Sequence, residues 1–417
     1  MTAPTMDFPS VLLLVGAAQG IFFALLLYRT KTENRTANRI LCILLLLFTT
    51  SLIDGFMDRT GYYLLFPHLI GVEWLTNPVY GPVVYFYIRE LTKWGEKRTW
   101  KQALHFVPAA AFFVILVPLF RLTADEKIRG WLRLNDPARQ TPASGFDPLT
   151  AALTVQISIY LVLSLRLLLA HSARVKENYS SVERISLSWL RDLIVACAIL
   201  WVLYAFMNLF SPALGVWREA NYLISLAIAV VIFVMGYKGL RQPAVFFPSN
   251  SRPSNVEEEA SASVPWKQTK PEDPQETGID EPSPESVKKY RKSSLSSVQS
   301  ESIHQRLLQL MEKEKPFLDP ELTLHSLSER LGVSPNHLSQ VINGRLNRSF
   351  FDFVNENRVQ EAIRLLADPE STRLSVLGIA LDSGFNSKSA FYTAFRKHAG
   401  MTPTRYKEQL LADSPPH

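Results

Sequence analysis

The chain has 417 residues, of which 47% are hydrophobic and 20% are charged, and its formal net charge is +6. This length allows two or three domains, while so modest a net charge by itself says little about partners. The two cysteines, Cys42 and Cys197, both lie in apolar runs, which excludes a disulfide framework and a Cys/His metal pattern. We therefore expect no metal and no cofactor, and a reducing compartment is the simplest assumption for the polar part.

The first apolar run, residues 10–28, is about as long as a helix that crosses a bilayer. No basic residue precedes it, and four follow it: Arg29, Lys31, Arg35 and Arg39. A secretory signal peptide carries its positive charge before the apolar run. The sequence therefore predicts a retained membrane helix with its N-terminus outside the cell.

Six further segments are candidates for membrane spans: 40–56, 68–91, 103–120, 149–170, 190–210 and 222–240. Seven crossings that start outside leave the C-terminal end in the cytoplasm, and most basic loop residues then lie inside. One outside loop is an exception, because it contains Lys127, Arg129, Arg133 and Arg139. Six or eight crossings stay as alternatives, since segment 40–56 is short and segment 68–91 contains Glu73 and two prolines.

Several polar residues fall within or directly next to the predicted spans, where they are energetically expensive and therefore candidates for a site. We predict that they line a cavity for a small-molecule or membrane signal: Glu73, Asn77, Tyr80, Gln156, Asn208 and Asn221. The alternative is that they join helices or lie at the headgroup level. Because the chain has no phosphate-binding glycine loop and no paired acidic motif, we predict that it is not an enzyme.

Residues 242–300 are rich in proline, serine and glutamate and have almost no apolar periodicity. Such a segment is typical of a disordered linker, and about 50 flexible residues reach roughly 40 Å. Its basic cluster at 288–292 could contact the anionic inner leaflet or a DNA backbone, or be only a solvated charge run.

After the linker, leucines at helical spacing end at Gly332, and Ser334-Pro335 is typical of the start of a new helix. This second helix has Leu338, Val341 and Ile342 on one face. Its other face carries side chains that can bind base edges: Asn336, His337, Ser339, Gln340 and Asn343. Arg345 and Arg348 follow and are suited to DNA phosphates. Residues 322–343 therefore predict a first helix-turn-helix unit.

Residues 349–366 read as one long helix with apolar residues on two sides. At 1.5 Å per residue it spans about 27 Å. A helix of that length can hold two recognition helices about one DNA turn, roughly 34 Å, apart.

Residues 375–398 predict a second helix-turn-helix unit. We expect a first helix with one apolar face, formed by Leu377, Ile379, Ala380 and Leu381, and a turn at Gly384. Asn386 or Ser387 can cap the next helix, on which Phe391 and Phe395 point inward. The predicted DNA-facing residues are Asn386, Lys388, Ser389, Tyr392, Arg396 and Lys397, and Thr393 shares this outer face.

Two motifs connect these residues to a known family. The first is Gly384-Phe385-x-Ser387-x-Ser389-x-Phe391 followed by Phe395-Arg396-Lys397-x-x-Gly400-Met401-Thr402-Pro403-x-x-Tyr406, and the second is Arg358-x-x-x-Ala362-x-x-Leu365-Leu366. They resemble the C-terminal domain of AraC-type (AraC/XylS family) transcription regulators. The resemblance in motifs covers roughly the last 115 residues. The membrane part resembles membrane-bound members of the family only in architecture. The resemblance implies two homeodomain-like helix-turn-helix units that bind promoter DNA, and the hypothesis of a homodimer comes from it.

The sequence therefore predicts an all-α chain. Its parts are a seven-helix sensor region (1–241), a linker (242–300), a DNA-binding domain (301–412) and a tail (413–417). We expect a multi-pass regulator in the bacterial inner membrane, with the bilayer, double-stranded DNA and an unknown signal as partners. The alternative function is a membrane receptor or transporter whose cytoplasmic tail acts through protein partners.

Overall fold

The computed structural model of the chain describes residues 5–30, 34–92, 99–134, 148–182, 186–214, 217–241, 295–368 and 374–413. It divides into two compact units. The first unit comprises Met1–Ala173 and Ser186–Val245, and the second comprises Arg174–Ile185 and Phe246–His417. The predicted linker falls almost wholly outside the described residues, together with its basic cluster at 288–292 and all but the first residue of the predicted tail.

The described part of the first unit is α-helical. Its helices are α1 (Phe8–Arg29), α2 (Arg35–Thr60), α3 (Val72–Thr92), α4 (Val107–Phe120), α5 (Ala124–Leu134), α6 (Pro148–Asn178), α7 (Ser188–Leu214) and α8 (Trp217–Arg241). The last residues of α6 belong to the second unit. A 3-10 segment, Trp100–Phe106, leads directly into α4.

Small residues let α1 pack closely on its neighbours. A Cβ atom added at Gly16 would lie 2.8 Å from the Ala229 Cβ atom on α8, and one added at Gly20 would collide with the Thr49 hydroxyl on α2. Close approach at small residues is typical of helix packing in membranes. The centre of this unit is formed by α2, whose Leu41, Leu44 and Leu45 are fully buried.

Five described helical segments are long and apolar enough to cross a bilayer: Phe8–Arg29, Arg35–Thr60, Trp100–Phe120, Pro148–Asn178 and Tyr222–Leu240. The other two predicted spans correspond to α3 and α7, which are helical but are not among these five. The predicted number of seven is therefore not confirmed. α3 contains Glu73, Pro78 and Pro82, which lower its apolar character.

The helix bounds correct two details of the sequence analysis. Segment 40–56, expected to be short, lies within the 26 residues of α2, because Asn34 caps the helix through the Ala37 N–H well before the apolar run begins. The loop that was predicted to lie outside and that contains Lys127, Arg129 and Arg133 includes the amphipathic helix α5. Charged residues interrupt its apolar positions, so the helix does not form a continuous apolar run.

The second unit has seven described helices beyond the end of α6. They are α9 (Ser297–Lys313), α10 (Leu324–Leu331), α11 (Pro335–Arg345), α12 (Phe350–Ala367), α13 (Val376–Asp382), α14 (Lys388–Ala399) and α15 (Pro403–Asp413). Two hydrophobic cores hold them. Phe350, Phe353 and Val354 of α12 belong to the upstream core, whereas Val359 and Ala362 belong to the downstream core. The continuous helix α12 therefore contributes residues to both cores, and each core with the helices packed on it is one half of this unit.

Candidate nucleic-acid interface

The first helix-turn-helix unit is formed by α10 and α11. The Thr323 side chain caps α10 through the Ser326 N–H, and Gly332 ends the helix with a left-handed φ of 63°. Ser334 then caps α11, with Pro335 in its first turn. A glycine tolerates the left-handed conformation without a Cβ penalty, so the chain reverses sharply between the two helices.

The predicted base-reading residues lie on the face of α11 opposite its buried residues Leu338, Val341 and Ile342. Asn336, Gln340 and Asn343 are exposed, and His337 and Ser339 are half-buried. The Asn343 amide donates a hydrogen bond to the Ser339 hydroxyl at 3.1 Å. The helix therefore presents amide groups that can form paired hydrogen bonds with base edges.

The two arginines expected to contact phosphates already form hydrogen bonds or ion pairs with other residues of the second compact unit. Arg345 donates to the Ser300 hydroxyl at 2.7 Å and to the Ser297 carbonyl at 2.9 Å, and it is paired with Glu301. Arg348 is paired with Glu356. Exposed ion pairs of this kind are weak and are screened by salt, so a phosphate can replace the carboxylate.

The second helix-turn-helix unit is formed by α13 and α14. Ser375 caps α13, and Gly384 takes a φ of 87° in the turn. Of the two candidate caps, Ser387 is the one that begins α14, through the Ala390 N–H at 3.0 Å. Gly400 ends the helix with a φ of 76°.

The expected apolar face of α13 is wrong in one respect. Ile379 and Ala380 are fully buried, but Leu377 is 46% exposed and Leu381 is 55% exposed. Successive residues on an α-helix are about 100° apart, so Ile379 points almost opposite to Leu377 and Leu381, with Ala380 in between, and the four positions together span about 200° of the helix surface. The four residues cannot face the core together.

The outer face of α14 is basic and mostly exposed. Lys388, Ser389, Thr393, Arg396 and Lys397 are exposed, while Phe391 and Phe395 are fully buried, as predicted. Tyr392 is half-buried instead, with its hydroxyl 3.0 Å from that of Thr404 and its ring 5.4 Å from the Lys388 Nζ atom.

Lys397 is paired with Asp352 at 2.6 Å. Burial raises the pKa of the Asp352 carboxyl, but the hydrogen bond and charge of Lys397 together with the Ser349 hydrogen bond and the charge of His398 outweigh this effect, so the pKa lies below its usual value. The pair connects α14 to α12. Lys397 therefore helps to position the recognition helix, besides being available at its surface.

Arg358 of α12 connects the two halves, a role that the sequence analysis missed. The side chain is 1% exposed, yet it donates to the Phe317 carbonyl at 2.7 Å and the Asp319 carbonyl at 2.7 Å. Its guanidinium lies 5.8 Å from the centre of the Phe385 ring in the second turn. Burial lowers the pKa of Arg358 to about 10, so the group stays charged at neutral pH. The arginine in the second motif was the available signal.

Asn386 precedes the cap of α14, and its side chain is exposed. Its amide donates a hydrogen bond to the Ser181 hydroxyl at 2.6 Å. Ser181 belongs to the short segment after α6 that is part of the second unit. This predicted DNA-facing residue therefore already has a partner within the chain.

The predicted signal-binding residues bond mainly to neighbouring helices. The Gln156 amide donates to the Pro78 carbonyl at 2.9 Å, and the Tyr80 hydroxyl donates to the Leu47 carbonyl at 2.7 Å. Glu73 accepts a hydrogen bond from Ser51 at 2.8 Å. Asn77 is half-buried on α3, and the side chains of Asn208 and Asn221 lie outside the described residues. These contacts are the ones expected of residues that join helices.

Acidic residues near Glu73 were not singled out by the sequence. Tyr63 donates a hydrogen bond to Asp54, and the Trp131 indole donates to Asp58 at 2.7 Å. Within the described part of the chain, no group of histidine, cysteine, aspartate and glutamate residues has the arrangement of a metal site. The carboxylates are held by hydrogen-bond donors of the unit itself.

The second compact unit contains two helix-turn-helix motifs, and α12, which belongs to both hydrophobic cores, joins them. This arrangement defines a DNA-binding domain with two helix-turn-helix motifs. A family model described as a helix-turn-helix domain matches residues 327–409. The chain carries an AraC-type helix-turn-helix domain at its C-terminal end, and its relatives include AraC-family regulators. These relatives are transcription regulators and not enzymes, which agrees with the prediction.

Among the relatives is the melibiose operon regulatory protein of Escherichia coli K12, 29% identical over 90 residues, which are 22% of this chain and 29% of that protein. The HTH-type transcriptional regulator GlxA of Rhizobium meliloti is 32% identical over 100 residues, which are 24% of this chain and 30% of that protein. The chain thus spans about three tenths of the length of these two relatives.

A solved structure, the C-terminal domain of the response regulator AraT from Geobacillus stearothermophilus, is 32% identical to this chain. The match covers 28% of this chain and 88% of that one, with a TM-score of 0.23.

Proposed function

We propose that the protein is a membrane-anchored, sequence-specific DNA-binding transcription regulator of AraC type that couples a membrane or extracytoplasmic signal to promoter binding. The observation that carries this proposal is the pair of recognition helices. α11 and α14 each bury one apolar face and expose a polar one, on a unit whose halves share α12. A helix of this kind fits the major groove of B-DNA.

The two recognition helices differ in the contacts that they can make. The exposed amides of Asn336 and Gln340 are suited to adenine, which offers one acceptor and one donor in the major groove. Arg396 on α14 carries a guanidinium that can bind guanine through two parallel hydrogen bonds. Lys388, at the start of α14, is suited to a phosphate. An operator would therefore contain two short contacted stretches about one helical turn apart.

Membrane anchoring rests on the first unit. It contains five segments with the length and composition of spans; α1 ends at Arg29, and Arg35 begins α2. Basic residues favour the cytoplasmic side. In the proposed topology the N-terminus lies outside the cell, an odd number of helices crosses the inner membrane of a bacterium, and the DNA-binding domain lies in the cytoplasm.

The proposed partners are the lipid bilayer, promoter DNA, an unidentified signal and a second copy of the chain. Two copies on repeated half-sites would bind more tightly than one, because the first contact raises the effective concentration of the second domain at its site. Cross-linking in membranes should recover a dimer, at least when DNA is present. Recovery of monomer alone in both conditions would refute the dimer.

The proposed function is tested with full-length protein in lipid nanodiscs and a random-sequence duplex library. We expect enrichment of one sequence class, and Gln340→Ala should relax the preference at one base position. Gln309→Ala is the matched control, because Gln309 is an exposed glutamine on α9. A protein that acts only through protein partners would enrich no sequence, and that result would refute the proposal.

A further inference from the structure

The second unit includes a short segment near residue 180, although the rest of this unit begins only at residue 246. Residues 174–182 follow the part of α6 that belongs to the first unit, yet they belong to the second unit. Residues 179–182 are the described part that follows α6, and we call them the docking segment. It reaches three parts of the DNA-binding domain.

The first contact is with the start of the first helix-turn-helix unit. Tyr179 forms an antiparallel bridge with Thr323, the residue that caps α10. The Ser180 N–H donates to the Leu322 carbonyl at 3.2 Å, and the Ser180 hydroxyl donates to the same carbonyl at 2.6 Å. Ser180 is only 1% exposed, so it is enclosed by the domain.

The second contact is with Arg358. One guanidinium nitrogen donates to the Ser180 carbonyl at 3.2 Å, and another donates to the Ser180 hydroxyl at 3.1 Å. The Asn355 amide also lies 3.4 Å from the Ser180 carbonyl. Buried charged donors need partners, and the carbonyls of Phe317 and Asp319 and the Asn355 side chain occupy only part of this guanidinium. Ser180 completes its hydrogen bonding.

The third contact is with the second helix-turn-helix unit. Ser181 accepts the hydrogen bond from Asn386, directly before the cap of α14. Asn386 is one of the residues expected to face DNA, and the N–H that it donates to Ser181 is not available to a base or a phosphate while the segment is docked. The docking segment therefore touches the start of a recognition helix as well as both halves of the domain.

We propose that residues 179–182 are an intramolecular docking segment that the DNA-binding domain holds at Arg358, and that docking and DNA binding compete for Asn386. This inference rests on the proposed function. The helix α6 contains a candidate membrane span and runs directly into the docking segment. A signal that moves α6 would thereby change the fraction of domains that are free to bind DNA, and the apparent affinity would follow that fraction.

Docking is tested by cross-linking in native membranes. Full-length protein with Cys42→Ala and Cys197→Ala receives Ser181→Cys and Asn386→Cys, and a short thiol-specific bifunctional reagent is added. Ser180→Lys should abolish the intramolecular cross-link, because the enclosed site has no room for lysine and Arg358 repels its charge. Asn178→Lys is the matched control, since Asn178 is exposed and its amide bonds only to the Arg174 carbonyl among the described residues. Equal yields in the two variants, or no cross-link in either, would refute docking.

Competition is tested with native Asn386, on full-length protein in nanodiscs and a duplex that this protein has selected from a random library. Ser180→Lys should bind this duplex about fivefold more tightly than Asn178→Lys, the lower end of typical coupling between sites. Both variants carry the same added charge, so non-specific attraction cancels. Ser181→Ala, which removes only the bond to Asn386, should change affinity in the same direction by a smaller factor.

The two proposals fail in different ways. If every variant binds the duplex with equal affinity, competition is refuted and the proposed function stands. If no variant or wild-type protein selects a duplex while the cross-link forms, the proposed function and the competition are refuted and docking stands.

Discussion

Replacing Gly384 by alanine should destabilise the DNA-binding domain through two separate effects. Its φ of 87° is left-handed, and an L-residue there is strained by about 1–2 kcal/mol. An added Cβ atom would also lie 2.8 Å from the Leu318 Cα atom and 2.9 Å from the Leu318 carbonyl oxygen, and still closer to the Phe317 carbonyl oxygen. These are backbone atoms that cannot rotate away, and overpacking of this kind costs about 1–3 kcal/mol.

The unfolded state offsets part of this loss, because alanine has less conformational freedom than glycine there, by about 0.4–1 kcal/mol. The expected net effect of Gly384→Ala is therefore a loss of about 2–4 kcal/mol in the free energy of unfolding. Gly400→Ala separates the two effects. Gly400 has a φ of 76°, and nothing lies within 4 Å of its added Cβ atom, so it should lose about 1 kcal/mol or less.

Pulse proteolysis of full-length protein in membranes at increasing urea concentration measures both variants, with cleavage followed within residues 295–413. Gly344→Ala is a further control, because Gly344 lies in α11 with open space around it and alanine favours helix. Equal losses in Gly384→Ala and Gly400→Ala would refute the argument that the second turn is packed against the first half of the domain.

Three further predictions concern base contacts, the core and the topology. Gln340→Ala should remove about 1–3 kcal/mol of the discrimination between bases at one operator position. Arg348→Ala should instead weaken binding to all sequences alike, and the slope of log affinity against log salt concentration should fall in magnitude by about 1. Binding assays across operator variants and salt concentrations separate these outcomes, and a uniform loss of affinity for both variants would contradict them. Phe391→Ala should cost about 3–5 kcal/mol, since Phe391 is fully buried, whereas exposed Thr393→Ala should stay within about 0.5 kcal/mol by the same proteolysis assay. A reporter fused after His417 should be active only in the cytoplasm, and an extracellular signal there would contradict the topology.

Local signals in the sequence predicted much of the DNA-binding domain. Ser334, Gly332 and Gly384 have conformational preferences that act within one turn of the chain, so the turns that precede the recognition helices followed from them. Phe391 and Phe395 are four residues apart and were placed correctly in the core. Leu377 and Leu381 were not, because five of the seven residues of α13 are apolar, so composition alone does not define its buried side.

Contacts between distant residues could not be predicted in the same way. Arg358 and Ser180 are 178 residues apart in the sequence, and neither has a local pattern that names the other as a partner. A lone arginine on a helix is usually solvated, and the signals for burial of Arg358 were its place in the second motif and its position among Val354, Val359 and Ala362. The helix α5 was missed for a different reason: its signal is local, but its amphipathic pattern is too polar to resemble a membrane span.

The central claim is that a membrane-anchored chain binds specific DNA through α11 and α14. The most direct measurement is a map of the chromosomal sites that co-purify with the full-length protein in cross-linked membranes, compared with a chain shortened to residues 1–294. We predict discrete sites that share a motif with two contacted stretches one helical turn apart and that vanish on shortening. Sites that persist in the chain shortened to residues 1–294, or a full-length protein in membranes that occupies no sites, would contradict the account.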